Sequence, residues 1–261
     1  MKKSIVEYIS AIAHALGFLT RLTLPQSLFV TPNPLANTVA VFPFAGALIG
    51  VLGFIVLSLT ALLGLSSVVC SILTILALII LTGALHEDGL ADSADALFVN
   101  KSSEERLVIM KDSRTGVFGV IALAFSILLR ITFLNELIIS HDTFTAGLAL
   151  VAVESFSRSA MVLLWGNLPL ARKDGTLSNA GLPSKNDIKL SFIIGLIVFI
   201  LLVILGFGFF SWIVPLLLFV IIYYYVRTLA ANKIGGLTGD ILGAAQQLFL
   251  IAVFLGIVLV R

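Results

Sequence analysis

Charge is what this sequence has least of. Of its 261 residues only 11% are Asp, Glu, Lys or Arg, while 59% are hydrophobic. A soluble domain carries roughly 25% charged residues, so an ordinary soluble globule is excluded. The net charge of +2 adds little, and no nucleic-acid partner is expected. Cysteine is almost missing: Cys70 stands alone in an apolar run. That excludes a disulfide framework and a cysteine metal cluster, and leaves a buried, inert thiol. A convincing secretory signal is missing too. Lys2 and Lys3 could open one and Ala11-Ile12-Ala13 could end it, but Glu7 and His14 interrupt the stretch that should be apolar.

Long apolar runs are what the chain does have, several of them beyond the ~18–20 residues that cross a bilayer. They predict an all-α, polytopic membrane bundle forming one domain over 1–261. Seven spans are expected, at 37–63, 66–85, 116–139, 143–166, 190–209, 211–230 and 239–260. Ahead of them, residues 4–20 space Ile5, Ile9, Ile12, Leu16 and Leu19 as an amphipathic helix lying in the interface. Residues 24–34 hold three of the seven prolines and read as an extended connector.

The few basic residues are unevenly placed. With these spans, Lys2, Lys3, Arg21, Lys101, Arg106, Lys111, Arg114, Arg172, Lys173, Lys185, Lys189, Arg227 and Lys233 fall on one side, and Arg261 alone on the other. The basic side should be cytoplasmic. The polar segments 86–115, 167–189 and 231–238 all open there. A transporter needs polar access from both faces, whereas an enzyme with soluble substrates needs one.

Against that background, HEDGLADSAD (residues 86–95) packs four carboxylates into nine residues. Asp88, Asp92 and Asp95 follow i, i+4, i+7, so a helix places them on one face. At the ~6 Å of such neighbours, two carboxylates repel by roughly 2–3 kcal/mol at an effective dielectric near 20. A cation or proton cancels that, and Mg²⁺ favours carboxylates together with substrate phosphates. The plainer alternative is a solvated acidic helix end. In IMKDSRTGVFG (109–119), Lys111 and Arg114 bracket Asp112 ahead of two glycines at a helix start. This is either a phosphate site or a positively charged membrane anchor. In KIGGLTGDILGAAQQ (233–247), Thr238 is an N-cap and Asp240 a first-turn acid, or both line a site. Glu154 and Arg158, i,i+4 inside a span, read as a lock between helices or as a functional pair, and Arg130 with Glu136 as a weaker version.

HEDGLADSADAL, MKDSRTGVFGVIAL and GGLTGDILGA together resemble the three signature segments of the cobalamin synthase (adenosylcobinamide-GDP ribazoletransferase) family, and TRL with FPFAGALIG resembles its opening. The resemblance runs in order along nearly the whole chain. It departs at RLTLPQS and Ala96, neither a charged position of the motifs. It implies a Mg²⁺-dependent phosphotransferase of cobalamin biosynthesis in a bacterial inner membrane. α-Ribazole or its 5′-phosphate would join adenosylcobinamide-GDP with release of GMP, within membrane lipid. A homo-oligomer or a complex with other cobalamin-assembly enzymes stays open.

On this reading Glu87, Asp88, Asp92, Asp95 and Asp240 are metal ligands, with Asp92 and Asp95 also the catalytic acids. His86, Lys111, Asp112, Arg114 and Thr238 serve substrate and phosphate. Two rivals are a CDP-alcohol phosphotransferase-like lipid enzyme and an ion-coupled transporter. The first requires an Ala-Arg after its Asp-Gly that is not here; the second predicts inverted repeats, of which none is visible.

Overall fold

The computed structural model describes residues 5–30 and 35–261, all helix, turn and connector with no strand among them. The expected fold class, an all-α bundle, is what forms. Lys2, Lys3 and the end of the 24–34 connector lie outside the described residues. The described part of that connector is irregular, with a 3-10 turn at Gln26–Leu28.

The first helix, α1 (Ile5–Leu19), packs on the bundle through Ala11, Ala13, Ala15 and Leu19, while Ile5, Val6, Tyr8 and Ile9 face outward. An apolar outer face on a short helix suits a membrane surface. Among the described residues six helices are long and apolar enough to cross a bilayer: α2 (Phe42–Leu62, extended by a 3-10 turn from Val39), α6 (Val117–Ser140), α7 (Thr143–Trp165), α9 (Lys185–Phe207), α10 (Ile213–Ile234) and α11 (Gly239–Leu259). The seventh expected span is a bent pair. α3 (Ser67–Thr82) is followed by α4 (Leu85–Leu97) at 88°. Two short helices, α5 (Ser103–Ile109) and α8 (Thr176–Ala180), lie in the connecting segments.

α7 is the axis of the bundle, buried along almost its whole length against α2, α9 and α11. That shelter from lipid is why it can carry Glu154, Ser155, Ser157, Arg158 and Ser159 in mid-span, all buried. α6, α9 and α10 instead expose large apolar side chains such as Phe125, Leu201 and Leu217, as helices solvated by lipid tails do.

The bend between α3 and α4 has a local cause. Gly83 adopts φ +63° and Ala84 φ +57°, the latter the one positive-φ non-glycine among the described residues. Two successive left-handed residues turn the chain sharply, at a cost of roughly 1–2 kcal/mol for the alanine. The segment after α1 braces the bend: Arg21 N donates to Leu81 O at 2.8 Å, and a Cβ on Gly83 would meet the Arg21 side chain at 2.5 Å. At the other end of α4, buried Arg106 donates to the Ala96 and Leu97 carbonyls at 2.9 and 2.8 Å, closing the helix with a cation where its dipole is negative.

Three connecting segments meet at this end of the bundle. Leu237 N donates to Pro169 O at 2.8 Å and Ala171 N to Leu237 O at 2.9 Å, tying 167–172 to the loop before α11. Lys111 pairs with Asp174, bringing in the segment before α6.

Candidate active site

α4 and α11 touch almost backbone to backbone. A Cβ on Gly89 would lie 2.7 Å from Asp240 O and 3.2 Å from Gly243 Cα, so only glycine allows the approach. This contact brings together acids about 150 residues apart in sequence. Asp92 is half-buried, and that burial, reinforced by the like charges of Asp88, Asp240 and Asp95, pushes its carboxyl up to about 7. Such a load of like charge is relieved by a bound cation or a proton. Asp88 is exposed, and it lines with Asp240 a cavity of about 200 Å³. Arg172 Nη2 stands 3.3 Å from Asp240 Oδ2, and its Nη1 is buried without a partner.

The other expected site residues are placed differently. Asp95 is on the acidic face, but its carboxylate accepts from Gly116 N at 2.6 Å and Gly119 N at 2.9 Å. It caps the start of α6, so those amides are not free for a phosphate. The two glycines leave room for it, since a Cβ at either would lie within 2.5 Å of an Asp95 oxygen. Glu87 also departs from expectation. It is buried, and its Oε1 accepts from Arg130 Nη1 at 2.6 Å and from Gln247 Nε2 at 3.2 Å. One oxygen of its carboxylate is engaged inside the bundle, the other is buried without a hydrogen-bond partner, and Glu87 is not among the groups acting on Asp92.

Arg130 therefore pairs with Glu87, and Glu136 with Arg261 at the far end; the expected Arg130–Glu136 pair does not form. The buried set is a neutral quartet. Arg130 also approaches Glu154 to 3.9 Å, and Glu154 pairs with Arg158. Gln247 and Ser126 add hydrogen bonds, so α4, α6, α7 and α11 are joined in one polar network. Sequence spacing alone could not have found it.

Thr238 is buried and caps α11, its Oγ1 accepting from Ile241 N at 3.2 Å. His86 is buried and lines the cavity beside Asp88. Lys111, Asp112 and Arg114 are on the exposed approach. The Arg114 guanidinium holds the Asp112 carboxyl down to about 2, and the Lys111 ammonium lowers that of Asp174. Arg172 and Asp174 were not singled out by sequence. The one signal was the pair Arg172-Lys173 ahead of Asp174-Gly175 in a polar segment on the basic side.

Among the described residues no three acidic, histidine or cysteine side chains converge into a ready-made ion cage. The donor set nevertheless suits Mg²⁺, which keeps several waters and binds through one or two carboxylates plus substrate phosphates. Two carboxylates on the wall of a cavity at one end of a membrane bundle, with a guanidinium beside one of them, make a membrane-embedded site suited to a cation and a phosphate-bearing ligand.

Comparison with known proteins makes this specific. The Cobalamin-5-phosphate synthase family model matches residues 11–258. An adenosylcobinamide-GDP ribazoletransferase of Brucella anthropi is 41% identical over 94% of this chain and 95% of its own. Those of Azorhizobium caulinodans and Rhizobium johnstonii are 39% and 38% identical over 96% and 95% of this chain, each across 96% of its own length. No solved structure matches. The chain belongs to the cobalamin-5-phosphate synthase family, and its reaction is the nucleotide-loop assembly step of cobalamin synthesis, in which the enzymes of this family act on adenosylcobinamide-GDP and ribazole.

Proposed function

We propose that this reaction runs at the cleft between α4 and α11, with Asp88, Asp92 and Asp240 as the working carboxylates and Arg172 as the principal phosphate-side cation. The observation that carries the assignment is the close approach of α4 and α11 at Gly89, which sets Asp88 and Asp240 on one cavity beside the Arg172 guanidinium. Mg²⁺, held by Asp88, Asp92 or Asp240 together with the diphosphate of adenosylcobinamide-GDP, would neutralise charge on the transferring phosphoryl group.

The chain's own residues do the rest. Arg172 orients the diphosphate, helped by Lys111 and Arg114 on the exposed approach. A ribose hydroxyl of α-ribazole or its 5′-phosphate attacks the phosphorus bonded to cobinamide. A ribose O–P bond forms, the P–O bond to the departing GMP breaks, and the bridging oxygen leaves with GMP. Asp92, crowded by like charges, takes the hydroxyl proton. The site faces the cytoplasm of a bacterial inner membrane, where both substrates are soluble.

Purified protein in lipid nanodiscs, given adenosylcobinamide-GDP and α-ribazole, is expected to release GMP only when Mg²⁺ is present. Undiminished release after chelation would remove Mg²⁺ from the reading.

A further inference from the structure

We propose that Asp174 is an internal stand-in for a substrate phosphate: its carboxylate neutralises Lys111 and Arg172 in the free protein and yields them to the diphosphate of adenosylcobinamide-GDP. The inference rests on the activity above and adds how the empty site keeps its phosphate-side cations together, and what helps GMP to leave.

Lys111 and Arg172 come from different connecting segments, one before α6 and the other after α7, yet one carboxylate serves both. Lys111 Nζ pairs with Asp174 Oδ2, and the Arg172 charge acts on the same carboxyl. The Arg172 guanidinium folds back beside it: a Cβ on Gly175, the next residue, would lie 3.4 Å from Arg172 Nε and 3.6 Å from Nη2. Arg172 and Asp174 also share a small cleft with Thr238 and Gly239 at the start of α11. The same guanidinium stands 3.3 Å from Asp240, so Asp174 lies where the exposed approach meets the wall of the carboxylate cavity.

Two cations gathered at one point repel unless an anion lies with them. Asp174 supplies that anion through a pair that is easily exchanged. The Lys111 and Asp174 side chains are 51% and 63% exposed, and exposed ion pairs are held weakly. The segment does not depend on the pair for its position, since the backbone bonds of Leu237 with Pro169 and Ala171 already hold it. A diphosphate carries more charge and more acceptor oxygens than a carboxylate and can engage both cations at once. It therefore takes them, and the Asp174 side chain turns out into solvent. The exchange reverses when GMP has to leave, because a carboxylate tethered beside the cations competes with the bound phosphate at high effective concentration.

Asp174→Asn keeps the shape and removes the charge. In nanodiscs at low salt it should lower both the KM for adenosylcobinamide-GDP and the inhibition constant of GMP about two- to fivefold. The KM for α-ribazole, which has no phosphate, should not move. High salt should erase the difference, since screening weakens the competing carboxylate. Asp174→Glu, which restores the charge, should return both constants towards those of the unaltered chain. If Asp174 were only a tie between two segments, its loss would loosen the approach and raise the KM for adenosylcobinamide-GDP. A raised or unchanged value in protein that releases GMP overturns the proposal. Failure of the unaltered chain to release GMP would instead overturn the parent activity, and the stand-in with it.

Discussion

The three aspartates of α4 share one helical face but not one job. Asp88 lines the cavity and Asp92 stands one turn further along, neither with a backbone donor among the described residues, whereas both oxygens of Asp95 are held by the amides of Gly116 and Gly119. Asp88→Asn and Asp92→Asn should each lower turnover at least ~100-fold, the size typical of losing a ligand or general base, without lowering the melting temperature. Removing like charge relieves repulsion. Asp95→Asn should do the reverse: lose about 1–3 kcal/mol of stability, as expected for charge-assisted bonds to backbone, and leave the Mg²⁺ requirement unchanged. Thermal unfolding in detergent beside Mg²⁺-titrated turnover separates the two patterns, and a normal melting curve for Asp95→Asn would return it to the metal set. The i, i+4, i+7 register was legible because helical periodicity is local. The capping role was not, because its donors come 21 and 24 residues later and depend on how α6 docks. Asp240 poses the matching test on α11. With Arg172 against it, Asp240→Asn should cut the rate by orders of magnitude, where a mere first-turn acid would cost only ~0.3–1 kcal/mol of stability.

α4 is a short helix whose aim matters more than its own stability, and three devices set that aim: the left-handed bend at Gly83-Ala84, the Glu87–Arg130 pair and the Arg106 cap. The bend fails first on paper. Valine is far less tolerant of positive φ than alanine, so Ala84→Val should misdirect α4 and abolish GMP release while the other spans still insert. Arg130→Met leaves Glu87 and Glu154 buried with one cation fewer and should cost about 3–5 kcal/mol. Adding Glu87→Met should recover much of that, and a double-mutant cycle on unfolding measures the recovery. Additive losses would deny the pair any coupling. The sequence placed Arg130 opposite Glu136, but i,i+6 positions on a helix point about 120° apart. Its true partner sits on another helix 43 residues earlier, invisible to any reading along one helix. The spans themselves were plain in the sequence because hydropathy is summed locally. The 88° turn was not, since it depends on Arg21 docking against Gly83.

At the scale of the whole molecule, the bundle is polar at one end only. The acidic cleft, Arg172, Lys111 and the loop before α11 cluster there, held by the Leu237–Pro169 and Lys111–Asp174 contacts. The opposite end has the short turns at 63–66, 141–142 and 208–212, with Arg261 paired to Glu136. A site confined to one end can be served from one compartment, and the orientation proposed above makes that compartment the cytoplasm. Reporter fusions after residues 100, 180 and 235 should therefore all report cytoplasm, and one at 141 the outside. Activity gives an independent check, because adenosylcobinamide-GDP is too large and too charged to cross a sealed bilayer. Inverted membrane vesicles should turn it over when it is added outside. Right-side-out vesicles of equal enzyme content should stay inactive until a detergent breaks them. Equal turnover in both sealed preparations would mean that the cleft opens to both sides, or that the bundle inserts in two orientations. The fusion at 180 distinguishes these. An outward signal there in part of the population denotes dual insertion, and a uniform cytoplasmic signal denotes a cleft that reaches through. The packing of α7 argues against the second, because its buried quartet of two arginines and two carboxylates fills the middle of the bundle, where a through-path would have to run.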